Sequence, residues 1–243
     1  MNVKLTIQYD GTAYHGWQIQ AGDITIQEEL TKALKSITGE NIKVKGCGRT
    51  DSGVHAERYI CNFYTESRIP ADRYPYALNS KLPRDIVCKA AEFEDEEFDS
   101  NRSAVSKRYI YRIYNSDIPD AFAGRYSWQY KYKLDDEKMR KAAKAFIGEH
   151  DFIGFASSGF TVKTTVRTIY SLDVKREGDM ITIDVCGNGF LYNMVRIIAG
   201  TLVFVGIGKI NPEDMPEIIN SKCRERAGVT APAHGLCLKE VYY

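Results

Sequence analysis

The chain has no C-x-x-C pair, no charge excess, no long apolar run and few histidines, and each shortage removes a class of function. Its six cysteines (Cys47, Cys61, Cys88, Cys186, Cys223, Cys237) are scattered. Its four histidines stand at no metal-ligand spacing with them, so reduced thiols are expected and a structural metal is not. No stretch reaches the roughly 18 consecutive apolar residues that a membrane span needs. Met1-Asn2-Val3-Lys4 runs straight into a strand pattern rather than a signal peptide, so the expected address is cytoplasmic, with no membrane partner. A net charge of only +1 argues against a protein that coats nucleic acid indiscriminately. Phosphate-cradling loops are missing too. There is no G-x-x-x-x-G-K-[ST], and Gly46-Cys47-Gly48 begins a G-x-G-x-x-G only to put Asp51 where the third glycine belongs. No cofactor is indicated.

What the chain does have is core: 44% apolar residues and 12% aromatics over 243 residues are enough for one large domain or two ordinary ones. The near-zero net charge hides an asymmetry. Residues 1–102 carry 13 Lys/Arg against 16 Asp/Glu, a net of −3, and residues 103–243 carry 20 against 16, a net of +4. A polyanion would be met mainly by the second half, although a difference this small also arises by chance.

Residues 3–9 alternate Val3, Leu5, Ile7 and Tyr9 with polar neighbours, the pattern of a half-buried strand ended by Asp10-Gly11. Thr25-Ile26-Gln27-Glu28 has the form of a capping box, and Ile26, Leu30, Leu34 and Ile37 then recur at helical spacing, which predicts a helix over 25–38. Residues 42–46 and 59–64 read as strands into and out of the loop that holds Asp51. Residues 92–99 hold six acidic side chains, a segment expected to stay solvated, and the domain junction is placed near 102. Beyond it, 107–114 predicts a strand, Met139, Ala142, Ala143 and Phe146 a helix, and 166–174 with 180–185 a hairpin around 175–179. Residues 190–205 predict a largely buried helix with one charge, Arg196, and the segment from Leu236 onward a last strand. The expected fold class is mixed α/β: two domains, 1–102 and 103–243, each with a largely antiparallel sheet covered by helices.

The loop Gly46-Cys47-Gly48-Arg49-Thr50-Asp51-Ser52-Gly53-Val54-His55-Ala56 is the most informative stretch. Glycine lets the backbone take tight, left-handed conformations and lets a substrate come close, so an Asp there can serve a cleft, with Arg49 supplying charge nearby. An Asp among Gly, Ser and Thr is also the usual composition of an Asx-turn or a helix N-cap. Asp51-Ser52-Gly53 matches the D-[ST]-G of aspartic proteases as well, but that chemistry needs a second carboxylate, and the chain has no second copy.

The whole string Gly48-Arg49-Thr50-Asp51-Ser52-Gly53-Val54-His55-Ala56 resembles the signature G-R-T-D-A-G-V-H-A of the tRNA pseudouridine synthase A family. The resemblance runs along nearly the whole chain. Tyr9-Asp10-Gly11 with Tyr14-His15-Gly16-Trp17-Gln18 is similar to the family's opening segment, and Gln27-Glu28-Glu29-Leu30 to the start of its first helix. Lys107-Arg108-Tyr109-Ile110-Tyr111 resembles its basic-basic-Tyr-x-Tyr strand. His150-Asp151-Phe152, Met194-Val195-Arg196 and Ala231-Pro232-Ala233 with Gly235-Leu236 follow in the same order. Three departures stand out: Ser52 for the usual Ala, Arg58-Tyr59 where a Gly-Gln pair is common, and Asn101 where Arg is frequent.

The resemblance implies isomerisation of uridine to pseudouridine in the anticodon stem-loop of tRNA, around positions 38 to 40, by a homodimer that uses no cofactor and no metal. It implies Asp51 as the nucleophile, attacking C1′ or C6 or acting as a base at C2′. A carboxylate suits this because it is nucleophilic, ionised near neutral pH and able to leave again. A carboxylate in a base-sized pocket needs a cation to stay ionised, and the resemblance assigns that role to Arg196; on residue type alone, an Arg snorkelling from a buried helix is an equal reading. The same resemblance assigns Tyr109 to stacking on the target uracil and to removal of the C5 proton, and makes Leu236 a lining residue. Arg49 is expected to fill the gap left by a flipped base, and Arg108 to meet RNA. The expected site lies in a cleft between the two domains. A non-catalytic RNA-binding module or RNA chaperone of the same fold is the alternative.

Overall fold

The computed structural model describes residues 1–159 and 162–243. In chain order its strands and α-helices are β1 (Asn2–Tyr9), α1 (Ile26–Thr38), β2 (Lys45–Gly46), β3 (His55–Tyr64), α2 (Tyr74–Asn79), β4 (Ile86–Glu94), β5 (Ser106–Tyr114), β6 (Trp128–Gln129), α3 (Asp136–Ala143), β7 (Gly148–Asp151), β8 (Val166–Glu177), β9 (Met180–Gly187), α4 (Met194–Gly206), α5 (Met215–Asn220) and β10 (Leu236–Tyr242). The class is the mixed α/β one that the residue patterns predict, with mostly antiparallel pairing. Two compact units form, Met1–Val105 with Cys237–Tyr243, and Ser106–Leu236.

In the first unit the strand order is β4-β1-β3-β10, with β2 on β3. β1 runs antiparallel to both neighbours, while Cys237 and Leu238 pair in parallel with His55 and Ala56. The predicted alternation holds: Val3, Leu5 and Ile7 are fully buried, as are Ile26, Leu30 and Leu34 from the apolar stripe of α1. Thr25 caps that helix by accepting from Glu28 N–H, and Gly39 ends it in the left-handed region. The expected capping box is only half used, because the Glu28 carboxylate pairs with Lys32 at 2.8 Å, one turn on.

One expectation fails here. Of residues 42–46 only Lys45 and Gly46 pair as strand; Ile42 and Val44 are buried without joining a ladder. The acidic segment 92–99 stays largely exposed, as expected, yet its chain is tied down. Glu92 and Glu94 lie on β4 and pair with Lys4 of β1. Beyond them a buried polar cluster holds the chain: Asn2 Nδ2 donates to the carbonyls of Asp95 and Phe98, Asn62 Nδ2 donates to Asn2 Oδ1, and Ser100 N–H donates to Asn62 Oδ1. Charge composition gave no sign of these amides, which satisfy buried backbone groups that would otherwise be costly.

In the second unit the order is β5-β9-β8-β7, with β6 parallel to β5. α3 packs against β8 and α4, and α4 is apolar nearly all round, with Ile197, Ile198, Leu202 and Val205 fully buried. The β8–β9 hairpin is longer than predicted. Lys175, Arg176 and Glu177 pair with Thr182, Ile181 and Met180, so the turn shrinks to Gly178-Asp179. The helix expected from 190 starts at Met194, because Asn193 sits at φ 62°, outside any right-handed helix. The helix predicted through Phe146 is α over Asp136–Ala143 and finishes as a tighter 3-10 turn, Lys144–Phe146.

Candidate active site

The Asp51 loop lies in the first unit, between β2 and β3, and main-chain bonds build it. Val54 N–H donates to the Asp51 carbonyl at 3.1 Å, closing a four-residue turn whose third residue, Gly53, has φ 78°. That is the position at which a type II turn requires a residue able to take positive φ. The segment around Tyr14 braces the turn from outside. Gly53 N–H donates to Tyr14 O at 3.2 Å, Ser52 Oγ donates to the same carbonyl at 3.3 Å, and Trp17 N–H donates to Thr50 O at 3.2 Å. Ser52, which departs from the family's usual Ala, therefore adds a bond of its own. Gly16 makes the approach possible: its φ is 82°, and a Cβ there would stand 2.3 Å from Thr50 O.

Below the loop, Tyr9 and Thr50 share a hydroxyl hydrogen bond at 2.9 Å. The Tyr59 ring stacks on Trp17 with centroids 4.1 Å apart, and its hydroxyl donates to Gly48 O. Tyr59, half of the Arg58-Tyr59 departure, is thus a fully buried support of the loop. Its neighbour Arg58 is exposed and pairs with Glu240 at 3.1 Å. His55 Nδ1 accepts from Gly11 N–H at 3.1 Å and lies 3.1 Å from Asp10 Oδ1. That oxygen also accepts from Thr12 N–H and Thr12 Oγ1. Asp51 is half-buried; Arg49 is exposed, and Arg49 makes no ion pair among the described residues.

The second unit holds Tyr109, Arg196 and Leu236. Tyr109 and Tyr111 share one face of β5. Tyr111 is fully buried, and its hydroxyl donates to Pro232 O at 2.8 Å. Burial pushes that hydroxyl's pKa well up, with the Arg196 charge pulling it the other way. Tyr109 is half-buried and meets Phe190 edge-on, at 5.2 Å between centroids. Arg196, in the first turn of α4, is aimed by two acceptors. Nε donates to Ala231 O and Nη1 donates to Asn193 Oδ1, both at 2.7 Å. Asn193 in turn donates to Ser157 Oγ at 2.8 Å. Sequence reasoning missed Asn193; its signal was an Asn at the start of an apolar helix, the residue type that best tolerates the left-handed region after Gly. Leu236 is buried and follows the 3-10 turn Ala233–Gly235. Arg108 forks onto Asp184 of β9, with Nε donating at 2.8 Å, so much of its charge is matched within the sheet. Among the described residues no three His, Cys, Asp or Glu side chains group to hold a metal ion.

The model of a tRNA pseudouridine synthase family matches residues 5–101 and 142–243, which include the Asp51 loop, Arg196 and Leu236. The chain belongs to the tRNA pseudouridine synthase family. Among relatives in the family, tRNA pseudouridine synthase A of Acetivibrio thermocellus is 51% identical over 242 residues, covering 100% of this chain and 99% of its own length. That of Ruminiclostridium cellulolyticum is 50% identical and covers 99% of each chain. That of Bacillus subtilis is 48% identical, covering 100% of this chain and 99% of its own. Identity at this level across the full length gives the expected family its independent support.

Proposed function

We propose that this chain isomerises uridine to pseudouridine in the anticodon stem-loop of tRNA, around positions 38 to 40, with Asp51 as the nucleophile and no cofactor. The observation that carries the reading is the Gly48–Ala56 string, present in a braced turn of a chain that matches synthases of this name along its whole length. The N1–C1′ bond breaks, the freed base rotates, and C5 bonds to C1′; the proton lost from C5 is balanced by one gained at N1. A carboxylate can hold one fragment while the base turns and then leave. In this reading Arg196 keeps that carboxylate ionised and Tyr109 stacks on the uracil, a contact worth about 1 to 3 kcal/mol. Tyr109 also takes part in removing the C5 proton, and Leu236 lines the pocket. The target base must first leave its stack, at a cost of a few kcal/mol, and the exposed, unpaired Arg49 side chain suits the gap it leaves. Arg108 is the weaker RNA contact because Asp184 already engages it. The working form is a homodimer in the cytoplasm.

Release of tritium from tRNA labelled at uridine C5 tests the assignment. Wild type should release label, and Asp51→Ala and Asp51→Asn should not. Sustained release from Asp51→Asn would remove Asp51 as the nucleophile. Wild type that binds the tRNA and releases nothing from any anticodon-arm uridine would make the chain an RNA-binding module.

A further inference from the structure

Away from the residues above, the second unit carries an open depression of about 510 Å³ lined by Tyr130, Tyr132, Lys133, Lys138, Ile207 and Lys209. It joins two segments: residues 130–133, where Tyr130-Lys131-Tyr132-Lys133 alternates aromatic with basic, and the turn that follows α4. Tyr132 is 60% exposed, with Lys131 Nζ over its ring at 4.9 Å, and Lys209 Nζ lies over the Phe204 ring at 4.8 Å. Lys131, Lys133 and Lys209 are exposed, and none meets a carboxylate within 4.0 Å among the described residues. The acid at the rim, Asp135, is taken by Lys138 at 3.6 Å and by the N–H it caps. Three unmatched cations beside a solvated aromatic ring suit a chain of phosphates carrying stackable bases. The carbonyls ending α4 do not compete for the lysines: those of Val203, Phe204, Val205 and Gly206 all accept main-chain N–H groups.

We propose that Lys131, Lys133, Lys209 and Tyr132 form a docking site for the RNA backbone outside the reacting nucleotide. The proposal rests on the reading of RNA as substrate, but on none of the roles given to Asp51, Tyr109 or Arg196. Arg196 opens α4 and the depression lies past its end, ten residues later, roughly 15 Å along the helix axis. The site therefore takes phosphates a few nucleotides from the target. Tyr130, Lys131, Tyr132 and Lys133 fall outside the residues the family model matches, and Lys209 falls inside them.

The test uses the full chain and an unmodified tRNA transcript, with affinity measured by filter binding between 50 and 200 mM salt, a range of the order over which phosphate contacts reveal themselves. Replacing Lys131, Lys133 and Lys209 together by Gln should weaken binding about tenfold or more at 0.1 M salt and flatten the slope of log affinity against log salt by about 2 to 3, close to one per lost phosphate contact. The triple Arg replacement should keep the wild-type slope. Tyr132→Ala should weaken binding about tenfold with the slope unchanged, and Tyr132→Phe should not weaken it. Lysines beyond a helix C-terminus also favour its dipole, so the slope, which a purely structural role would leave alone, is the deciding reading. Equal slopes for wild type and the Gln variant, each folded by its unfolding midpoint, would overturn the site. Failure of the tritium assay alone would leave it standing.

Discussion

The turn that presents Asp51 closes through main-chain atoms, and neither its Gly53 nor the bracing Gly16 can be exchanged for another residue without moving something. Gly16→Ala is expected to cost about 1 to 3 kcal/mol, since the residue sits at φ 82° and its new methyl group would press on the Thr50 carbonyl. Turnover should fall further than stability, by about a hundredfold if the loop shifts by roughly 1 Å, and comparing urea midpoints with tritium release separates the two effects. At this scale the sequence was legible only where a long motif could be matched. Local composition made Asp51 an ordinary turn residue; the family string is what singled it out. Asn193 and Ser157, which aim Arg196, were not singled out, because Asn193 works through a left-handed backbone and Ser157 lies 36 residues from its partner.

Elements were legible where one face meets a core and less so at their ends. β1, α1 and β5 follow their periodicities almost residue for residue, whereas α4 starts four residues late, because apolar periodicity in Phe190 and Leu191 reports burial and is blind to the φ of Asn193. The end of β7 yields a pH prediction. Lys222, at 2.8 Å, and the Thr165 hydroxyl hold the Asp151 carboxyl below the usual carboxylate range, with Ile153 N–H adding a third bond. A carboxyl depressed in the folded state stabilises above its unfolded value, about 3.9, and loses that contribution as pH falls through its folded value. Asp151→Asn should therefore unfold more easily than wild type at pH 7, by about 1 kcal/mol, and the difference should vanish as pH falls below the folded carboxyl's depressed value; denaturant midpoints taken from pH 7 downward check it.

For the molecule as a whole, the residue patterns gave the mixed α/β class and the strand at the C-terminal end of the sequence, but not which sheet takes that strand. Alternation says that a strand has a buried face and is silent on its neighbour. The surface bears on association. Phe122 is 89% exposed and Ile118 71%, both on the segment between β5 and β6, and such apolar area is what a homodimer would cover. Light scattering at micromolar protein should give twice 27.5 kDa, and a mass of one chain would refute the dimer.

The pairing of Cys237 and Leu238 with His55 and Ala56 has a consequence for biosynthesis. His55 and Ala56 close the Gly48–Ala56 string, and their partners lie about 180 residues later in the chain. Domains generally fold from the N-terminus as they are made. Here the first unit stays one strand short until residue 238 has left the ribosome, so the frame around Asp51 is finished after the second unit has been synthesised, and a nascent chain carries its nucleophile long before it carries the sheet edge beside it.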